Sequence, residues 1–165
     1  MAGPNADLGK AVDSKDATQD ATMGEMTLVN QDKGRADQPT ISCGGGACYV
    51  AWSDENKDTA WVAYFDKGAG KATVRNRFPP RSKHPTVSAT ADGKAQAFWF
   101  EGGKVMTALV DRDGVHDPSR IARVSGELQP TPSVAAGKKP GEWYVTWLDY
   151  ETGHLEVYVA RTQCK

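Results

Sequence analysis

From residue 38 to residue 163 apolar and polar positions alternate in short segments, and nowhere does the 3.6-residue stripe of an amphipathic helix persist. In Tyr49-Val50-Ala51-Trp52 and Tyr144-Val145-Thr146-Trp147, successive side chains of an extended strand point to opposite faces. Each Trp therefore shares a face with the residue two before it. The segments also recur. Gln38-Pro39-Thr40-Ile41-Ser42, followed by Cys48-Tyr49-Val50-Ala51-Trp52-Ser53-Asp54, returns as His84-Pro85-Thr86-Val87-Ser88 with Gln96-Ala97-Phe98-Trp99-Phe100-Glu101. It returns again as Gln129-Pro130-Thr131-Pro132-Ser133-Val134 with Tyr144-Val145-Thr146-Trp147-Leu148-Asp149. The prolines at 39, 85 and 130 are 46 and 45 residues apart, and the tryptophans at 52, 99 and 147 are 47 and 48 apart. A period in the forties with several short strands per unit predicts a propeller-like array of small β-sheets.

Each unit reads as a Pro-Thr strand, a Trp strand and a third strand. A fourth follows at Lys71–Arg75 in the first unit and at Arg120–Val124 in the second. The third unit runs through His154–Arg161 without a fourth, and Met23–Val29 reads as a fourth strand without its first three. The predicted fold is all-β, with three four-stranded propeller-type blades at about 38–78, 84–125 and 129–163 and strand 23–29 completing a blade. Three blades make half of a six-bladed β-propeller, since rings typically hold four to eight. A second copy of the chain or the remainder of a longer propeller would complete it, and both readings stay open. Small residues such as Ala51, Ala63, Ala97 and Ala108 would let neighbouring sheets approach. Residues 1–21 carry no aromatic side chain and no period, which reads as a flexible polar tail ahead of a repeat domain at 22–165.

Composition narrows the function classes. The formal charge is -1 with 25% charged residues, so no electrostatic bias draws the chain to nucleic acid or an anionic membrane. No apolar run approaches the 18 or so residues of a membrane span. The start Met1-Ala2-Gly3-Pro4 lacks a signal-peptide pattern, so export would imply a signal already removed. Cys43 and Cys48 flank the turn between the first two strands, a spacing that predicts a disulfide across a hairpin, with two free thiols as the alternative. That points to a periplasmic, secreted or cell-surface protein. Cys164 is left over, either free or paired between chains.

Candidate chemistry sits at repeated positions. Gln38, His84 and Gln129 precede the prolines at the mouth of each innermost strand, where loops converge and side chains can hydrogen-bond a shared ligand or cap the strand. Asp54, Glu101 and Asp149 stand two residues after each repeated Trp, where a carboxylate starts a turn by accepting backbone amides. Trp61 and Tyr150, with Phe100 and Trp143, are the aromatics that would stack on a sugar if exposed and pack in the core otherwise. His116 and His154 read as solvated turn residues. No cofactor or metal is assigned. The three histidines are scattered, Gly44-Gly45-Gly46 lacks the Lys-Ser/Thr of a phosphate loop, and no Asp-x-Asp-x-Asp loop gathers oxygens for Ca²⁺.

The repeated Pro-Thr-(Val/Ile)-Ser, followed by an aromatic strand ending Trp-x-(Asp/Glu), resembles the repeat of sialidase-like (BNR-type) β-propellers over residues 22–163. The nearest match to that family's Asp-box, Ser53 to Trp61, has no Gly and lies in the second turn instead of the third. The resemblance implies a site with three arginines on a sugar carboxylate, a Tyr nucleophile and a separate acid. Arginines at 35, 75, 77, 81, 112, 120, 123 and 161 share no repeated position beside the channel. The expected function is therefore a non-catalytic binding or scaffold module for a carbohydrate or protein partner at the converging loops. The alternatives are a fragment of a sialidase-like glycoside hydrolase and a purely structural assembly subunit. Its partners are a second copy of itself or the rest of a longer propeller, with a glycan or protein ligand and no nucleic acid.

Overall fold

The computed structural model describes residues 29, 35–66, 72, 74–125 and 131–163. Its regular structure is three antiparallel sheets, and the described residues contain no α-helix. The first sheet holds β1 (Ala36–Gly44), β2 (Ala47–Asp54), β3 (Thr59–Phe65) and β4 (Val74–Arg77). The second holds β5 (Lys83–Ala89), β6 (Ala95–Phe100), β7 (Lys104–Val110) and β8 (Val115–Arg123). The third holds β9 (Ser133–Ala136), β10 (Glu142–Asp149) and β11 (Glu156–Gln163). Within each sheet, strands pair in chain order as an up-and-down meander. The innermost strands β1, β5 and β9 lie side by side along one axis.

Strand limits depart from the sequence reading where turns decide them. β4 extends to Arg77, two residues past the expected Arg75, because Trp61 pairs with Arg77 and carries the ladder on. β8 begins at Val115, five residues before the expected Arg120, because Val110 opposite Val115 closes a hairpin over Asp111 to Gly114. The Met23–Val29 strand falls outside the described residues apart from Val29, which has no regular structure.

The hairpin joining β1 to β2 follows directly from composition. Gly44 opposes Ala47, leaving Gly45 and Gly46 as the two loop residues, both at positive φ (58° and 88°). That is the backbone a tight right-twisted hairpin needs, and glycine adopts it without steric cost. Cys43 then opposes Cys48, and the two form the expected disulfide. The turn also abuts the second sheet. A Cβ on Gly44 would lie 2.0 Å from the Thr90 carbonyl oxygen, and one on Gly45 would lie 2.3 Å from the Gly93 nitrogen.

Two cores fill the spaces between sheets. Between the first and second sheets, Tyr49, Ala51, Ala60 and Val62 meet Ala95, Ala97, Trp99 and Val110. Between the second and third, Phe98, Phe100 and Val105 meet Trp143, Val145 and Trp147. Phe100 and Trp143 are thus core side chains, the packing role the sequence left open for them beside sugar stacking. The Trp99 ring packs edge-on to Phe78 at 5.1 Å, whereas Trp147 stacks on Tyr158 at 6.0 Å.

Candidate functional site

The Pro-Thr-x-Ser motif joins neighbouring sheets. Thr40 donates its hydroxyl hydrogen to the Pro85 carbonyl, and the Ala89 amide donates to the Ser42 hydroxyl, tying β1 to β5. One end of this seam is polar. There the His84 amide donates to the Ser53 hydroxyl at 2.8 Å.

The residues before the prolines have an unusual backbone. Gln38 (φ 49°) and His84 (φ 51°) are both left-handed. Proline normally pushes the preceding residue into extended backbone, and a non-glycine residue at positive φ is strained. Each sits in a β-bulge, where the register slips between Asp37 and Thr40 and between Lys83 and Thr86. The bulges turn both side chains to a common place. His84 Nδ1 contacts Gln38 Oε1, and the Thr131 hydroxyl lies 3.0 Å from Gln38 Oε1 and 3.3 Å from His84 Nδ1. Three units thus contribute to one cluster. Gln129, the third residue predicted there, lies outside the described residues, and Thr131 from the same motif was missed. Its signal was its place in the repeated Pro-Thr pair. Asp117 before Pro118 repeats the left-handed conformation in the outer strand β8, so the device is not confined to this mouth.

His84 also borders a cavity of about 270 Å³, lined further by Asp37, Ser53, Asp54, Asp58, Thr59 and Lys83. The wall is carboxylates and hydroxyls with one ammonium, Lys83, which pairs with Asp58 at 3.0 Å. Asp54 is 4% exposed, and its Oδ1 has no hydrogen-bond partner among the described residues. Its other oxygen lies 3.7 Å from Lys57 Nζ. A buried carboxylate oxygen without a donor is costly, and native proteins normally supply a partner. Asp58, left-handed at φ 45°, closes the 3-10 turn Glu55–Lys57 that shapes this wall. This is the stretch that resembles an Asp-box, and it does lie between the second and third strands.

The other predicted residues separate from this cavity. Asp149 Oδ1 accepts from the Ser125 amide, the Ser125 hydroxyl and the Tyr150 amide, which makes it a turn anchor. Burial pushes its carboxyl up, but the Ser125 and Tyr150 bonds outweigh that and hold it below the usual value. Glu101 accepts from the Trp99 indole at 3.3 Å. Trp61 is half-buried with Lys57 Nζ 5.8 Å from its ring centre, and Tyr150 is exposed beyond the third sheet's Asp149. His116 is not simply solvated, because its Nε2 pairs with Asp111 at 2.8 Å. That hydrogen bond raises the imidazole pKa. Among the described residues, no three His, Cys, Asp or Glu side chains group to hold a metal ion. No helix there is long and apolar enough to cross a membrane.

No family model and no curated protein matches the sequence. Solved structures do match by shape. The GH43 BlXynB protein from Bacillus licheniformis superposes with a TM-score of 0.51 at 14% identity, over 81% of this chain and 29% of that one. Hydrazine synthase from Kuenenia stuttgartiensis superposes with a TM-score of 0.48 at 15% identity, over 78% and 51%. The likeness is one of fold. Three small meander sheets around an axis and a five-bladed propeller neighbour make the fold β-propeller-like. This chain spans less than a third of that neighbour's length.

Proposed function

We propose that the chain is a non-catalytic binding module that recognises a hydroxyl-rich ligand, a carbohydrate, at the mouth formed by Gln38, His84, Thr131 and the adjoining cavity. The observation that carries this reading is the Asp54 wall, where a buried carboxylate oxygen finds no donor among the described residues beside a space of about 270 Å³. Sugar hydroxyls both donate and accept, so they match a wall of carboxylates and hydroxyls with the Lys83 ammonium. The left-handed backbone at Gln38 and His84 supports it further, since strain concentrates where side chains must be aimed. In this reading the module is half of a six-bladed, sialidase-like ring that performs no chemistry. The Cys43–Cys48 disulfide supports export to an oxidising compartment.

Titration calorimetry against hits from a glycan array tests the reading. Asp54→Ala and His84→Ala should each weaken binding at least about tenfold, while Tyr150→Ala leaves it unchanged. Binding insensitive to Asp54 and His84, or hydrolysis of a fluorogenic glycoside by the intact chain, would overturn it.

A further inference from the structure

The cavity beside the mouth carries charge as well as hydrogen-bonding groups. Four carboxylates, Asp37, Asp54, Glu55 and Asp58, line it together with one ammonium, Lys83. Three cations lie against them. Arg35 pairs with Glu55 at 3.0 Å, Lys83 pairs with Asp58 at 3.0 Å, and Lys57 Nζ stands 3.7 Å from Asp54 Oδ2. Asp37 has no ion pair among the described residues, and its Oδ1 accepts the Gln38 amide. The wall therefore keeps one negative charge in excess, and its most buried carboxylate has an acceptor to spare. The Asp54 side chain is 5% exposed, and its Oδ1 finds no donor among the described residues. The Lys57 ammonium lies on the other oxygen, 5.8 Å from the Trp61 ring centre. A buried carboxylate oxygen is matched best by a donor that brings positive charge, since charge-assisted hydrogen bonds are about twice as strong as neutral ones. Among the described residues these carboxylates do not group to hold a metal ion, so the charge suits an organic cation.

We propose that the ligand is an amino sugar with a free, unacetylated nitrogen, whose ammonium enters beside Asp54 and donates to its Oδ1. This rests on the carbohydrate reading and names the class of sugar. A primary ammonium carries three donors and no acceptor. One hydrogen satisfies Asp54, and the others have the carboxylates of Asp37 and Asp58 on the same wall. A hydroxyl in its place would supply a donor without charge, and an acetamide would add a bulky neutral group; both leave the excess negative charge uncompensated. The sugar's oxygens find the neutral part of the wall. Ser53 Oγ accepts the His84 amide at 2.8 Å, which leaves its own hydrogen to donate. At about 270 Å³ the cavity lies just below the common range of ligand pockets, about 300–1,000 Å³, so it takes one sugar residue of a longer glycan.

Titration calorimetry of the full chain tests it with three oligomers of equal length and linkage, built from glucosamine, N-acetylglucosamine and glucose. The work is done at about pH 7, where an amine of pKa about 7.7 is mostly charged. The glucosamine oligomer should bind at least about tenfold more tightly than either of the others, the order of a hydrogen bond to a charged group. Asp54→Asn keeps the side chain's shape and removes its charge, so it should bring the three to near-equal affinity, with circular dichroism unchanged. Lys83→Gln removes a competing cation from the wall and should widen the preference instead. Equal binding of the three by the wild-type chain, or tighter binding of a neutral or acidic glycan, overturns the ammonium and leaves the carbohydrate reading standing. A preference that survives Asp54→Asn overturns it as well. No binding of any glycan overturns both readings, even if the polyamine spermidine binds. Should Asp54→Asn unfold, Lys83→Gln decides: a widened preference supports the proposal, and an unchanged or narrowed one refutes it.

Discussion

The second and third sheets share one sequence repeat, yet β6 is buried at all six positions while β11 alternates half-buried and exposed. The difference lies in their neighbours. β6 has a sheet on each side, so both side-chain directions face a core, and even the polar Gln96 is enclosed. It donates to the Thr107 hydroxyl at 2.6 Å, and that hydroxyl donates to the Ala97 carbonyl. β11 has a sheet on one side, so only Tyr158 and Ala160 join a core. A strand buried on both faces reads as a continuous apolar run, and one buried on a single face alternates.

The largest expected effect breaks the doubly covered sheet. Trp99→Ala removes a side chain with no exposed surface and should cost about 3–5 kcal/mol, read as a shift of the urea midpoint. Leu155→Ser, at an exposed position before β11, should stay within about 0.5 kcal/mol. Equal costs at the two sites would mean that the sheets are not differently covered.

The seam between the second and third sheets is sharpened by Asp149, whose carboxylate ties the start of β10's following turn to Ser125. Asp149→Ala leaves three donors without their acceptor and should cost about 2–3 kcal/mol. Because the folded carboxyl sits below its ordinary value, its stabilisation is present above about pH 4 and is lost as pH falls through the lowered folded value. Wild-type protein should therefore lose more stability on acidification than Asp149→Asn, as thermal melts across that range would reveal.

At the first sheet, reduction of the Cys43–Cys48 bridge should cost about 2 kcal/mol on the loop-entropy model, small because the closed loop is short. Melting with and without reductant checks this, and the loss should appear in the first sheet's hairpin by hydrogen exchange. The smallest effect belongs to His116 and Asp111, an exposed pair worth a few tenths of a kcal/mol. The raised imidazole pKa places its contribution below about pH 6.5, fading as pH rises through the raised folded value. His116→Gln should flatten that small slope.

Much of the fold was legible because it is periodic. The Pro-Thr-x-Ser and Trp repeats, strand alternation and the Gly45-Gly46 turn are local signals, each tied to backbone geometry or to side-chain direction along a strand. They located the three sheets and the facing cysteines from residue order alone. Strand limits at β4 and β8 were less legible, because ladder pairing carried on past the local pattern. The site was legible only in part. The meeting of Gln38 and His84 before two of the prolines follows their repeated places, but equal spacing hid unequal roles: Asp54, Glu101 and Asp149 occupy equivalent places and have quite different surroundings.

The sequence by itself determined that the chain folds into small repeated sheets, since alternation and turn chemistry act over a few residues. Only the tertiary structure decided which faces are covered. It settled Phe100 and Trp143 as core instead of sugar platforms, brought Thr131 to Gln38 across 93 residues of chain and to His84 across 47, and left Val157 and Val159 in the open. Those outcomes depend on which sheet lies beside which, and strand alternation carries no record of its neighbour.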